Sequence, residues 1–170
     1  MSPQLLKAGF LVLDAATGEV VRILPFQYNP QQLVHSSGPS GETFSCVADY
    51  DAADALEAGQ PGSSGLGIAP QLAALREIAA DPPIHVIAFV WGPARIAPVQ
   101  VLSLIITETM FDEALNPTAA TVALDLQVAS GGLESQIVAR IAAAYEQAQN
   151  EIADRAPPGS LDALGIASMP

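Results

Sequence analysis

The chain holds 170 residues, the size of about one domain, and half of them are hydrophobic. The mean hydropathy is +0.34, so the chain can fill a core and intrinsic disorder is excluded as its overall class. There are 18 acidic and 6 basic residues, which give a net charge of −12. This sign excludes free binding to nucleic acid, and it disfavours anionic membrane surfaces, because both require positive charge.

Charged residues make up 14% of the chain, about half the usual share of about 25%. A low charge fraction with high hydrophobicity favours a subunit that is partly buried in an assembly. The longest apolar runs, Val86 to Trp91 and Val99 to Ile106, are far shorter than the roughly 20 residues of a membrane helix. The N-terminal residues lack the pattern of a signal peptide. We therefore expect a cytoplasmic protein without membrane insertion.

The first elements predict a β-hairpin followed by a turn. Ala8 to Asp14 and Val20 to Leu24 are short apolar runs, and the turn between them contains Gly18. The next residues are Phe26-Gln27-Tyr28-Asn29-Pro30. Asn-Pro favours a turn, and the two aromatic side chains are expected to anchor that turn on the core.

The middle of the chain predicts a loop, a strand, a second loop and a helix. Ser36 to Gly41 is rich in Ser, Gly and Pro, which indicates a loop. Glu42 to Tyr50 alternates between polar and apolar residues, as a half-buried strand does. The Gly- and Ser-containing residues from Gly59 to Gly67 indicate a flexible connector. Apolar residues then recur at helical spacing from Ala69 to Ala80, with a proline in the first turn.

The second half predicts an antiparallel meander and a helix. The three predicted strands are Ile84 to Trp91, Ile96 to Thr109 and Thr118 to Ala129, with a turn at Gly92-Pro93 after the first. Phe89 and Trp91 share strand parity, so both are expected in the main core on the same side of the sheet. Leu133 to Ala153 carries one apolar face over about five turns, which is expected to dock on the chain's own barrel or on a neighbouring subunit. The fold class is therefore α+β, with a dominant antiparallel sheet, a mid-chain helix and a C-terminal helix.

No catalytic motif stands out in the sequence. Cys46 alternates onto the apolar side of its strand, which favours a buried, inert thiol, and a lone cysteine excludes an intrachain disulfide. His35 and His85 lack a recognisable catalytic context. The acidic clusters lack the spacing of a calcium loop and are more simply solvated or interface charges; their members are Asp49, Asp51, Asp54 and Glu57, and Glu108, Asp112 and Glu113. We expect no enzyme activity, catalytic residue, metal ion or cofactor.

The order of several short motifs resembles the tube and baseplate-adaptor family of contractile injection systems, which are phage-tail-like particles. The motifs are Phe26 to Pro30, Phe89 to Gly92, the strand from Pro98 to Thr109, Phe111-Asp112 and Asn116-Pro117. The resemblance runs from about Ala8 to Ala129. Each motif is short, and the specificity lies in their order and spacing.

The resemblance implies a tail-tube-like β-barrel or sandwich of antiparallel strands. It also implies a homo-oligomeric ring, usually a hexamer, that lies between the spike protein and the inner tube among other baseplate proteins. Family members commonly continue into a LysM module, and this sequence departs from that pattern after Leu133. No catalytic residue is carried over from the family, whose role is structural.

The expected organisation is a tube-like β domain over residues 1–130, a C-terminal helix over 131–155 and a flexible tail over 156–170, which is mobile or ordered by a neighbour. The expected function is a baseplate adaptor ring, with an inner tube or tube-initiator subunit as the alternative. Two alternatives belong to other functional classes. The first is a monomeric β-barrel that binds a small ligand, and the second is a hydrolase that uses the second acidic cluster. The expected structural or interface residues are Phe26, Tyr28, Asn29, Pro30, Trp91, Gly92, Ile137, Ile141 and Tyr145.

Overall fold

The computed structural model describes residues 5–53, 65–80, 85–129, 136–165 and 167. The elements are, in chain order, β1 (Gly9–Asp14), β2 (Val20–Pro25), β3 (Leu33–Gly38), β4 (Gly41–Asp51), α1 (Ala69–Ala79), β5 (His85–Val90), β6 (Ile96–Phe111), β7 (Pro117–Val128), α2 (Gln136–Ala153) and a 3₁₀ turn (Asp162–Leu164). The connector from Gly59 and the first residues of the predicted C-terminal helix lie wholly or partly outside the described residues.

The strands form one seven-stranded sheet in the order β2-β1-β5-β6-β7-β4-β3. Every neighbouring pair is antiparallel. This confirms the α+β class, the first hairpin and the β5-β6-β7 meander. The sheet connects sequence-distant strands at two places, because β1 pairs with β5 and β4 pairs with β7.

The predicted loop from Ser36 to Gly41 is wrong. Ser36, Ser37 and Gly38 belong to β3 and pair with the first residues of β4. The turn between the two strands is short and covers residues 39–40, and Gly41, the first residue of β4, adopts a φ of 118°. β3 accommodates these polar residues because it lies at the edge of the sheet, where most of its side chains are exposed.

The sheet curls strongly, which brings non-neighbouring strands together. Phe44 of β4 and Phe89 of β5 lie three strand steps apart in the sheet, a separation of about 14 Å if the sheet were flat. Their ring centroids are instead 5.5 Å apart. Phe10 of β1 contacts Phe89 at 5.7 Å. The concave side therefore encloses the main core, in which these three rings are almost fully buried.

Helix α1 packs into this core by the face that its periodicity predicts. Leu72, Leu75 and Ile78 are buried there, together with Ile68 just before the helix. The entry to the helix is fixed by Gly67, whose φ is 60° and where a Cβ would lie 2.1 Å from the carbonyl oxygen of Pro117. Only glycine fits so close to the start of β7.

The first half of helix α2 packs against the convex side of the sheet, opposite the main core. A second apolar cluster contains Leu13, Val86 and Ala88 from β1 and β5, with Ile137 and Ile141 of the helix packed against it. The predicted docking of the C-terminal helix is thus made on the chain's own sheet. Its last turn docks less, since Ile152 is 49% exposed.

Candidate assembly surface

The turn from Phe26 to Pro30 joins β2 to the N-terminal segment and to β4. Phe26 is buried and meets Phe10 edge to face, with the ring centroids 5.6 Å apart. The Asn29 side chain accepts a hydrogen bond from the Ala8 N–H at 2.8 Å and donates one to the Leu6 carbonyl at 2.7 Å. Asn29 therefore pairs with the backbone much as another strand residue does. Pro30 is buried beside it.

The expectation that Tyr28 anchors this turn on the core is wrong. Its side chain points outward and is 38% exposed, with the Lys7 ammonium 5.9 Å from the ring centroid. Phe26 and Tyr28 are two residues apart, yet the chain has already left the strand at Phe26, so the alternation no longer applies. Tyr28 is thus part of the surface.

Gln27 has a structural role that sequence reasoning missed. Its amide donates to the Asp51 carbonyl at 2.6 Å and accepts from the Asp51 N–H at 2.8 Å. This two-bond pattern imitates a β-bridge and connects the end of β2 to the end of β4. In the sequence, this role is marked by a polar residue between two aromatic residues, and that pattern does not identify Asp51 as the hydrogen-bond partner.

Trp91 lies at the rim of the core, which corrects its predicted place in the core's interior. It follows the last residue of β5 and is only partly buried. It does share the side of Phe89, as predicted, with ring centroids 6.0 Å apart. Gly92 adopts a φ of 80° in the turn that the Trp91 N–H closes on the Arg95 carbonyl. The predicted turn is therefore confirmed.

Tyr145 connects α2 to the β3–β4 hairpin. Its hydroxyl donates to Glu42 at the start of β4, and His35 of β3 lies 2.6 Å from the same carboxylate oxygen. Burial, followed by the hydrogen bond to Glu42, raises the pKa of Tyr145 above the usual range. Of the three predicted α2 residues, Tyr145 is buried, whereas Ile137 and Ile141 are half-buried. The helix thus contacts both halves of the curled sheet.

The convex side of β6, β7, β4 and β3 is exposed, and we call it the open face. It consists of three cross-strand rows: Ser103, Asp125, Ser45 and Val34; Ile105, Ala123 and Val47; and Thr107, Thr121 and Asp49. The middle row is apolar, and its Ile105 and Val47 are 58% and 52% exposed. The outer rows are tied by hydrogen bonds from Ser45 to Asp125 and from Thr121 to Asp49. Exposed apolar rows of this kind are typical of interaction surfaces.

Both edges of the sheet carry exposed apolar side chains. On β2, Val20, Val21 and Ile23 are 51%, 57% and 64% exposed, and on β3, Val34 is 60% exposed. In the described part of the chain, the strand order ends at β2 and at β3. Monomeric proteins usually protect such edges with charges or prolines. β2 contains Arg22, which is paired with Glu77 of α1, and ends at Pro25, whereas β3 contains neither a proline nor an acidic, lysine or arginine residue. The apolar stretches of both edges are therefore suited to pairing with another strand.

Two of the groups that could carry chemistry, Cys46 and Asp112, have surroundings that indicate a structural role. Burial, and then the nearby Asp125 carboxylate, raise the pKa of the Cys46 thiol to about 11, so it is protonated at neutral pH. Asp112 accepts hydrogen bonds from Asn116 and Ala114 that fix the β6–β7 turn, and the Asn116 side chain in particular lowers the pKa of Asp112. Within the described ranges, no group of three His, Cys, Asp or Glu side chains is placed to hold a metal ion.

The centre of the concave interior does not favour the ligand-binding alternative. A barrel that binds a small molecule needs space between its strands. Here Phe10, Phe44 and Phe89 contact one another across that space.

The described helices include none that is long and apolar enough to cross a bilayer. Two comparisons with known proteins complete these observations: no protein-family model and no curated protein sequence matches the chain.

Proposed function

We propose that this protein is a structural ring subunit of a contractile injection system, a baseplate adaptor that joins the spike to the inner tube. The proposal begins from the ordered motifs between Ala8 and Ala129 that resemble that family. The single observation that carries it is the pair of exposed sheet edges, β2 and β3, at opposite ends of one curled antiparallel sheet.

The two edges suggest how copies join. They are different surfaces of one chain, so β2 of one copy pairing with β3 of the next is a heterologous contact, and such contacts form rings when the rotation closes. Each added copy extends the sheet by seven strands and leaves one free β2 edge and one free β3 edge until the ring closes. The curl of every sheet supplies the rotation between copies. A closed ring leaves no free edge at which chains aggregate.

The open face would then form a continuous surface around the ring. Its Asp49 and Asp125 carboxylates, with the net charge of −12, would limit nonspecific adhesion. The finer assignments are part of the same proposal: a tail-tube-like fold, a hexameric ring, assembly in the cytoplasm, and the spike protein and inner tube as partners. An inner tube or tube-initiator subunit remains the alternative role, since both use the same ring.

The test combines mass measurement with an edge variant. Purified protein, alone and co-expressed with the spike and tube proteins of the same particle, is examined by light scattering and negative-stain microscopy. We expect rings whose mass is a multiple of 17.5 kDa. Ile23→Lys places a charge on the β2 edge and should leave a folded monomer. Ala139→Lys adds the same charge on the exposed side of α2 and should leave the rings intact.

A 17.5 kDa species under every condition, including co-expression, would overturn the proposal. Rings that form equally well with Ile23→Lys would overturn the role of the β2 edge. Circular dichroism of both variants shows whether the charge affects folding rather than assembly.

A further inference from the structure

A groove runs along one side of α2. It has a volume of about 800 Å³. Ile137, Ile141, Ala144 and Ala148 supply an apolar wall from the helix, and the turns at Gly18 and Ala94 face them. Among the described residues that line the groove, the one charged side chain is Arg140. The groove therefore suits a short apolar segment that carries a negative charge.

The C-terminal segment after α2 has those properties. The Ser160 hydroxyl accepts a hydrogen bond from the Ala163 N–H at 3.2 Å, as a helix cap does. The Leu164 and Gly165 N–H groups close the turn on Leu161 and Asp162, and Gly165 ends it with a φ of 71°. The segment is thus a formed helical turn rather than an extended end.

This turn exposes its apolar side chains. Leu161 is 42% exposed and Leu164 is 74% exposed. The single charged residue in the sequence 157–170 is Asp162. A capped turn that presents two leucines to solvent is typical of a docking motif, since burying each leucine is worth roughly 1.5–3 kcal/mol.

We infer that the turn over residues 160–165 of one copy docks in the α2 groove of a neighbouring copy. Asp162 faces Arg140 there, and Leu161 and Leu164 contact the wall formed by Ile141 and Ala144. A second copy is the occupant because the chain on its own leaves both leucines exposed. Pro157 and Pro158 also stiffen the connection between α2 and the turn.

This inference deepens the proposed ring and rests on it for the proximity of copies. Within a ring, a tethered segment meets the neighbouring groove at an effective concentration in the millimolar range, so weak docking is sufficient. The exchanged turn would tie each subunit to the next independently of the sheet edges.

Directed cross-linking between two full-length chains tests the inference. Both chains carry Cys46→Ala, which removes the native thiol. One carries Leu164→Cys and the other, with a different tag, carries Ala144→Cys. After mixing and mild oxidation, we expect a disulfide that joins the two tags. Ala139→Cys, which lies on α2 outside the groove lining, serves as the matched control and should react at least about tenfold more slowly.

Charge reversal supplies a second readout. Arg140→Glu or Asp162→Arg alone should slow the cross-linking by up to about fivefold, the range of an exposed ion pair, and the two together should restore it. Equal reaction at Ala144→Cys and Ala139→Cys would overturn the inference. So would a bond formed only within one chain when both cysteines are placed on the same copy.

Light scattering of the same samples separates this inference from the proposed function. Rings without the cross-link overturn tail docking and leave the ring proposal standing. A cross-link confined to pairs of chains, without rings, leaves docking standing and overturns the ring proposal.

Discussion

The hydroxyl of Tyr145 donates to the carboxylate of Glu42, and this contact joins α2 to the β3–β4 hairpin. The two residues are far apart in the sequence, since Glu42 is the second residue of β4 and Tyr145 lies in α2. The same carboxylate is 2.6 Å from His35. Glu42 thus receives two donors from two elements and holds the helix against the hairpin.

Tyr145→Phe should destabilise the chain without moving α2. The phenyl ring preserves the packing, while Glu42 loses one of its two donors, which costs about 1–2 kcal/mol. Urea unfolding followed by circular dichroism measures the difference. A matched Tyr28→Phe variant removes a hydroxyl at the surface and should change stability much less. Equal losses for the two variants would contradict the role of the Glu42 contact.

Alkaline pH should destabilise the protein through its buried tyrosines. Burial raises the pKa of Tyr50 to about 12, and burial with the Glu42 contact raises that of Tyr145. A raised pKa in the folded state means that the folded chain favours the neutral phenol. The resulting stability is complete below the unfolded-state pKa of about 10 and is lost as pH rises through the folded value. Ultraviolet titration of tyrosinate should show delayed ionisation, which disappears in denaturant.

Ile141→Asp should damage the fold or the assembly, because it places a charge in the half-buried contact between α2 and β1. We expect a loss of roughly 2–4 kcal/mol. Ile152→Asp is the control on the same helix, where the side chain is 49% exposed, and should cost much less. Thermal unfolding and incorporation into particles are the measurements. A stable Ile141→Asp protein that still assembles would show that the helix contact is dispensable.

Phe89→Ala and Trp91→Ala should differ despite their shared side of the sheet. Phe89 is fully buried among the other rings, so its removal should cost about 3–5 kcal/mol. Trp91 lies at the rim, and we expect about 2 kcal/mol there because its removal leaves a smaller enclosed space. Denaturant titration gives both values. A larger loss for Trp91→Ala would place the tryptophan inside the core.

Gln27→Met should weaken the connection between the ends of β2 and β4. The side chain keeps its length but loses both hydrogen bonds to Asp51, at a cost of about 1–2 kcal/mol. Hydrogen exchange should show faster exchange at the Asp51 amide. Gln31→Met, in the following loop, is the control and should leave that amide protected.

Strands and helices with strong periodicity were predictable from the sequence. β4 alternates so regularly that its buried residues, Phe44 to Tyr50 at every second position, follow from the pattern alone. The face of α1 was predictable for the same reason. β3 was not, because serine and glycine have weak strand propensity and the pairing with β4 decides their conformation.

The partners within the assembly surface were less predictable than its elements. Asn29 was identifiable from the Asn-Pro turn, but its bonds to Leu6 and Ala8 depend on how the N-terminal segment passes the turn. The Gln27–Asp51 contact depends on the curl of the sheet, which a two-residue period does not encode. The contact of Tyr145 with Glu42 is likewise tertiary.

The pairing of β4 with β7 has a consequence for biosynthesis. The partner of Cys46 is Leu124. At a translation rate of about 5–20 residues per second, the β3–β4 hairpin is therefore synthesised several seconds before β7. Contacts so distant in sequence also slow folding, since a long loop must close before they form. The nascent hairpin therefore exposes its apolar side while it waits. A chaperone at the ribosome that covers this apolar side until β7 emerges would therefore favour native folding.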